Sequence, residues 1–225
     1  MSFRVEDKQF IALVGPSGCG KTTFLKIAAG LLEKTDGEIL LDGKEISGPG
    51  QDRGMVFQNF TLFPWLTVRE NIGFGPTLRE VNSEEKQKIV EHYLRITGLT
   101  EFADFYPKDL SGGMQQRAAI GRTLANNPKI LLMDEPFGSL DTQTRSQMQE
   151  FLTKLWDSDH QTIVFVTHDV NEAIFLADKV CVLSKRPTKI KNVYDVPFPR
   201  PRAHKIKHAP EFFTFASKIA KELEE

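Results

Sequence analysis

Cysteine is scarce: only Cys19 and Cys181 occur in 225 residues, and neither lies in a Cys-x-x-Cys or mixed Cys/His cluster. The pattern speaks against a structural zinc site, a redox dithiol or a disulfide scaffold, and a reducing compartment is expected. Excess charge of one sign is also missing, with 29 Lys and Arg against 30 Asp and Glu. There is no whole-chain basic field to grip nucleic acid non-specifically, so no nucleic-acid partner is expected. No apolar run approaches the roughly 18 residues that cross a bilayer, and the amino-terminal stretch lacks the basic-then-apolar layout of a secretory signal. Gly and Pro are too few, and hydrophobic residues at 40% too many, for collagen-like or disordered readings. The chain is long enough for one large domain or two small ones.

Short apolar runs recur at Phe10–Val14, Glu38–Leu41, Met55–Phe57, Ile130–Met133, Thr162–Val166 and Lys179–Leu183, and they read as buried strands. Several are separated by helical spacing, as in Ile89, Val90, Tyr93 and Leu94 behind a capping box of Asn82 and Glu85. Strands alternating with helices predict an α/β fold. Between about Asn59 and Ala125 no strand is evident, which predicts a helical insertion. The basic stretch from Lys185 to His208, with four prolines and one acid, reads as a solvated extended tail, with contact to an anionic membrane surface as the alternative. Phe212, Phe215, Ala216, Ile219 and Leu223 predict a final helix packed on the core.

The segment Gly15, Pro16, Ser17, Gly18, Cys19, Gly20, Lys21, Thr22, Thr23 lies between a predicted strand and a predicted helix, the context a P-loop requires. Backbone N–H groups and the helix N-terminus would surround phosphate oxygens. Lys21 would reach the β and γ phosphates of ATP, Thr22 would ligate Mg²⁺, and Thr23 would add a donor near the α-phosphate. Cys19 would lend its N–H, with a redox-sensitive thiol as the minor alternative. Ile130-Leu-Leu-Met-Asp134-Glu135 is a buried run ending in two carboxylates. Such a pair needs a cation or a proton to be tolerated. Asp134 would hold Mg²⁺ and Glu135 would act as base toward water. His168 closes another apolar run at the same predicted edge, where α/β sheets bind ligands. Asp169 and Glu172 would cap the next helix and leave His168 free for a phosphate.

A second anion-binding helix start follows Leu110, with Ser111 as cap and Gly112 and Gly113 baring the backbone. One P-loop has no need of a second cradle unless it serves a nucleotide held by another copy. In order along the chain, the P-loop, Gln58 after Val56 and Phe57, Leu110 to Gln116, Asp134-Glu135, Ser139-Leu140-Asp141 and His168 resemble the motifs of the ATP-binding subunit of ABC transporters. Further runs, Leu62-Phe-Pro-Trp-Leu-Thr-Val-Arg-Glu-Asn71 and Val196-Pro-Phe-Pro-Arg-Pro-Arg202, are similar to the nitrate/sulfonate/taurine importer subfamily.

The resemblance implies a P-loop NTPase (RecA-like) fold with a mostly parallel core. Residues 1–58 and 126–225 would form the core and 59–125 a helical subdomain carrying the signature motif. It implies ATP hydrolysis coupled to transport, at the cytoplasmic face of the membrane, by a head-to-tail pair of copies. Transmembrane permease subunits would be direct partners and an extracytoplasmic substrate-binding protein an indirect one. Gln58 would sense Mg²⁺ and water; Ser111, Gly112, Gly113 and Gln115 would meet the partner's ATP; Asp141 would support the opposite P-loop. The apolar run after Gln58 would receive a coupling helix of the permease. One departure is that the strand and adenine-stacking aromatic expected well upstream of the P-loop are missing. Ser2–Val5 is then the strand preceding Phe10–Val14, the antiparallel edge sheet is incomplete, and Phe3 is a weak substitute for the aromatic. The alternatives are a soluble ABC ATPase of the translation or repair type, a P-loop kinase or GTPase, and a truncated, inactive subunit.

Overall fold

A computed structural model describes residues 2–224 of the chain. In chain order the elements are β1 (Phe10–Val14), α1 (Lys21–Ala28), β2 (Leu40–Leu41), β3 (Lys44–Glu45), β4 (Arg53–Val56), α2 (Val68–Leu78), α3 (Ser83–Thr97) and α4 (Gly112–Leu124). They continue with β5 (Ile130–Asp134), α5 (Thr142–Asp159), β6 (Thr162–Thr167), α6 (Val170–Leu176), β7 (Lys179–Leu183), β8 (Ile190–Asp195) and α7 (Pro210–Glu224). Six strands form one sheet in the order β4-β5-β6-β1-β7-β8. All neighbours are parallel except β8, which runs antiparallel to β7.

The apolar runs are continuous because both faces of the sheet are covered. Along β1, Phe10, Ala12 and Val14 face α4 to α7, while Ile11 and Leu13 face α1 with Leu25 and Ala28. The same alternation divides Ile163 and Phe165 from Val164 and Val166 on β6. A third cluster lies away from the sheet, where Val68 and Ile72 of α2, Val90 and Leu94 of α3 and Ala118 of α4 pack together. Ile120 and Leu124 of α4 reach the sheet core instead, so α4 belongs to both cores. Its cap is Ser111, whose hydroxyl accepts from the Met114 N–H at 3.3 Å.

Three expectations need correction. Ser2–Val5 forms no strand; no ladder partner holds it, and Phe3 instead packs at a tilt against Phe24 with ring centroids 5.4 Å apart. The run Glu38–Leu41 contributes only Leu40 and Leu41 to a two-stranded hairpin with β3. The basic stretch from Lys185 to His208 is not a solvated tail. It supplies β8, and then Arg200, which lies 3.9 Å from the Trp156 ring centroid and donates to Asp178 at 2.9 Å. Arg202 is only 6% exposed and donates to the carbonyls of Phe198, Ile174, Phe175 and Ala177. A guanidinium with five fork-like donors suits the orphan carbonyls at the end of a short helix. These arginines fold the segment back onto α6 in spite of its polar composition. The last helix, α7, buries Phe212, Ala216 and Ile219 as its spacing predicts.

Candidate functional site

Four parallel strands, β1, β5, β6 and β7, end at one edge of the sheet, and the residues following them form the site. After β1 the chain turns through Gly18 (φ +76°) and Gly20 (φ +106°), left-handed conformations that glycine adopts without strain. Lys21 is 5% exposed and folds back to donate to the Gly15 carbonyl at 2.7 Å and that of Pro16 at 3.1 Å. Cys19 is buried and its carbonyl accepts from the Thr188 hydroxyl in the β7–β8 turn. Ser17, Thr22 and Thr23 are exposed. Along this edge the Thr22 hydroxyl donates to Asp134 Oδ1 at 2.9 Å, joining the P-loop to the end of β5.

Asp134 is 7% exposed, and burial raises its carboxyl above the ordinary range despite the Thr22 hydrogen bond that lowers it. A buried carboxylate beside a hydroxyl offers hard oxygen ligands, so this pair fits Mg²⁺. No group of three or more His, Cys, Asp or Glu among the described residues could hold a metal by itself, which leaves remaining positions to water and phosphate. Glu135 is held at φ +43° and its N–H donates to the Val166 carbonyl of β6 at 3.0 Å. A left-handed non-glycine costs about 1 kcal/mol or more and persists where its surroundings fix it. Here the turn aims the carboxylate at β6, where Glu135 Oε2 lies 2.9 Å from His168 Nδ1. The imidazole Nδ1 is therefore engaged with Glu135, while the ring remains exposed. Gln58 is exposed at the end of β4, and its Nε2 lies 3.2 Å from where a Cβ on Gly138 would stand. Lys21, Thr22, Asp134, Glu135, His168 and Gln58 thus share one sheet edge.

The other predicted residues form a second group. Gly113 abuts the Thr144 methyl of α5, and Gly112 abuts Leu140 and Phe60. Gln115 donates to the Leu110 carbonyl at 3.1 Å. Asp141 caps α5 by accepting from the N–H groups of Gln143 and Thr144 at 3.0 Å each; the Thr144 hydroxyl, together with these N–H groups, holds its carboxyl below the usual range. Among the described residues no hydrogen bond or ion pair links this group to Lys21, Thr22, Asp134, Glu135 or His168.

The sequence reading passed over Thr167 and Gln149, and it took Glu172 for a helix-capping partner. Glu172 is instead buried against both, accepting from Thr167 at 2.6 Å and Gln149 at 2.9 Å. It also passed over Arg122, whose guanidinium donates to Thr61 and lies 5.0 Å from the Phe63 ring centroid.

Residues 1–138 match the family model described as ABC transporter. The chain belongs to this family. It is 46% identical over 226 residues to the nitrate import ATP-binding protein NrtD of Synechocystis, covering 98% of this chain and 85% of that one. An uncharacterized ABC transporter ATP-binding protein of Methanocaldococcus jannaschii is 49% identical over 219 residues, covering 97% and 81%. The taurine import ATP-binding protein TauB of Roseobacter denitrificans is 46% identical, covering 88% and 74%. Among solved structures, a dimeric, post-hydrolysis ATP-binding cassette bound to ADP and Pi aligns with a TM-score of 0.72 at 33% identity, covering 88% of this chain and 89% of that one. A dimeric bacterial ABC transporter cassette aligns at 0.74 and 34% identity over the same shares. The expected family, its nitrate- and taurine-type branch and the P-loop cassette fold are all borne out. The ABC chain described above is an ATP-binding subunit with an ATPase site. No helix of the described residues is long and apolar enough to cross a membrane.

Proposed function

We propose that this chain hydrolyses ATP to power an importer of a small anion or similar small solute, of the nitrate, bicarbonate or taurine kind named for its relatives. It would do so as a head-to-tail pair of copies on transmembrane permease subunits at the cytoplasmic face, fed by an extracytoplasmic binding protein. The observation that carries the ATPase site is the contact of Glu135 with His168 at 2.9 Å, beside Lys21 and the Thr22–Asp134 pair. Lys21 would exchange its carbonyl partners for phosphate oxygens, and the P-loop N–H groups would hold the rest of the triphosphate. Thr22 and Asp134 would hold Mg²⁺, with Gln58 as a further ligand; the ion neutralises phosphate charge when bound. Glu135 would take a proton from attacking water, with His168 orienting that carboxylate and facing the γ-phosphate.

Ser111, Gly112, Gly113 and Gln115 would serve the nucleotide of the second copy, and Asp141 would approach the opposite P-loop. Two facts support this. The group is unlinked to its own P-loop, and the aligned cassettes are dimers. Residues 59–125 would move as a helical subdomain against a core of 1–58 and 126–225, which their separate apolar cluster supports. Trp65, 70% exposed after Gln58, would enter the permease contact.

The test is the molar mass of Glu135→Gln by light scattering after gel filtration, with and without ATP. ATP should convert monomer to dimer while phosphate release falls at least 100-fold. Brisk hydrolysis by the variant would overturn the base assignment, and persistent monomer at saturating ATP would overturn the ATP-closed pair in the absence of the permease.

A further inference from the structure

His168 is exposed and stands between two residues that a ring of hydrogen bonds ties to Glu172. The Thr167 hydroxyl accepts from the Asp169 N–H at 3.0 Å and donates to Glu172 Oε2 at 2.6 Å. Asp169 in turn accepts from the N–H groups of Asn171 and Glu172 at 2.8 and 3.2 Å. The backbone on both sides of His168 is thereby tied to one carboxylate, and that carboxylate is 5% exposed. Its second oxygen accepts from Gln149 Nε2 of α5 at 2.9 Å. Gln149 is 3% exposed, and its own carbonyl oxygen accepts from Lys207 Nζ. Lys207 belongs to the short helical turn His204–His208 just before α7; its ammonium sits 4.4 Å from the Phe175 ring centroid and 3.3 Å from His204 Nε2.

A capping glutamate at the third helical position would serve the helix N-terminus from the surface. Glu172 does something else, since it is turned inward and receives two side-chain donors. A buried carboxylate needs such donors, and removing the cation behind Gln149 frees that amide to rotate away from it. We infer that Glu172, backed by Gln149 and Lys207, positions His168 toward Glu135, so that the carboxyl-terminal segment carrying Lys207 bears on the ATP site. This rests on the reading of His168 as a residue facing the γ-phosphate. Glu172 and Lys207 are positioning residues, because neither reaches the nucleotide-facing edge itself.

The test uses the full chain with histidine-selective isotope labelling, the His168 ring signal being assigned by its loss in His168→Ala. Lys207→Met keeps the alkyl stem over Phe175 and removes the donors. It should move the His168 resonance and lower kcat at least fivefold with KM for ATP within twofold, and Lys207→Arg should restore both to within twofold. Glu172→Gln, which keeps the buried volume, should lower kcat tenfold or more and move the same resonance, and it decides the matter should Lys207→Met unfold. Where turnover of the isolated subunit lies below detection, the resonance alone decides. An unmoved His168 signal in both variants overturns the inference, as does a moved signal with unchanged kcat. Wild-type kcat in His168→Ala would instead overturn the underlying reading of His168, and the resonance would still report whether the relay exists.

Discussion

Replacing Arg202 by Met isolates the interaction that folds the basic segment onto the sheet. Its guanidinium makes four hydrogen bonds of 2.7 to 3.1 Å, to the carbonyls of Phe198, Ile174, Phe175 and Ala177. Nη1 shares its two protons among three of these carbonyls, so three N–H donors are involved, and at about 2 kcal/mol for each charge-assisted donor roughly 6 kcal/mol of gross interaction is lost. Part of that loss is recovered, because burial pushes the guanidinium well down from its ordinary value, to about 10. This is a desolvation cost of about 3 kcal/mol that Met does not incur. The side chain remains charged at neutral pH, so the net change expected for Arg202→Met is a destabilisation of about 3 kcal/mol. For a chain of this size that is a fall in melting temperature of roughly 6 to 12 °C. Arg186 is the internal control: it is exposed, with no hydrogen bond or ion pair among the described residues, and Arg186→Met should stay within about 0.5 kcal/mol. Thermal melts followed by circular dichroism measure both. Equal melting temperatures for the two variants would refute the packing argument and restore the solvated tail.

Burial raises the Asp134 carboxyl, so the folded chain holds that proton more tightly than the unfolded one. Without nucleotide, ionising it as pH rises through its folded pKa costs stability; Asp134→Asn should therefore melt about 1 to 3 °C higher at pH 7 while losing at least 100-fold in Mg²⁺-dependent phosphate release. Gly113→Ala would place its Cβ 2.6 Å from the Thr144 methyl and should cost about 1 to 3 kcal/mol in a urea melt; Thr144→Ser, which lacks that methyl, should restore most of it. Asn71 is fully buried and donates to the carbonyls of Phe63, Leu66 and Thr67 while accepting from the Phe63 N–H. Asn71→Ala should cost roughly 2 to 3 kcal/mol and open the 60–67 loop to chymotrypsin, read as faster cleavage by mass spectrometry.

Legibility in the sequence followed burial. Strands β1, β5, β6 and β7 are covered on both faces, so they stand out as apolar runs, and the residues that follow them fell at the predicted edge. Strand β8 is covered on one face only, follows Lys189 and contains Lys191; its alternation is weak, and its place is set by the ladder to β7, which no local pattern encodes. Arg200 and Arg202 were hidden for a related reason, because a run of Pro and Arg reads as solvated whereas helix-end carbonyls bury it. Site residues at motif spacing were legible one by one. Their partners were not: Glu172 looked like a cap at Asp169, and only the fold brings Gln149, 23 residues away in the sequence, to its carboxylate, and Lys207, 35 residues away, to Gln149.

The loop after Gln58 joins an exposed tryptophan to elements that carry site residues. At one end Gln58 lies against Gly138, in the turn that sets Glu135 at positive φ. In its middle Thr61, itself at φ +49°, gives its carbonyl and hydroxyl to Arg122 of α4, the helix that Ser111 caps. At its far end Asn71 of α2 holds Phe63 to Thr67 together, and Trp65 stands out between them. A push on Trp65 therefore cannot be absorbed by the loop alone. The contacts that would carry it run to α2 through Asn71 and to α4 through Arg122, with Gln58 beside the Glu135 turn. Asn71 ties four backbone groups of the loop with one side chain, and a packed interior moves between discrete arrangements rather than by gradual deformation. Nucleotide held by the P-loop and a partner seated on Trp65 would thus bias the same movement of α4, and linkage requires each to alter the affinity of the other.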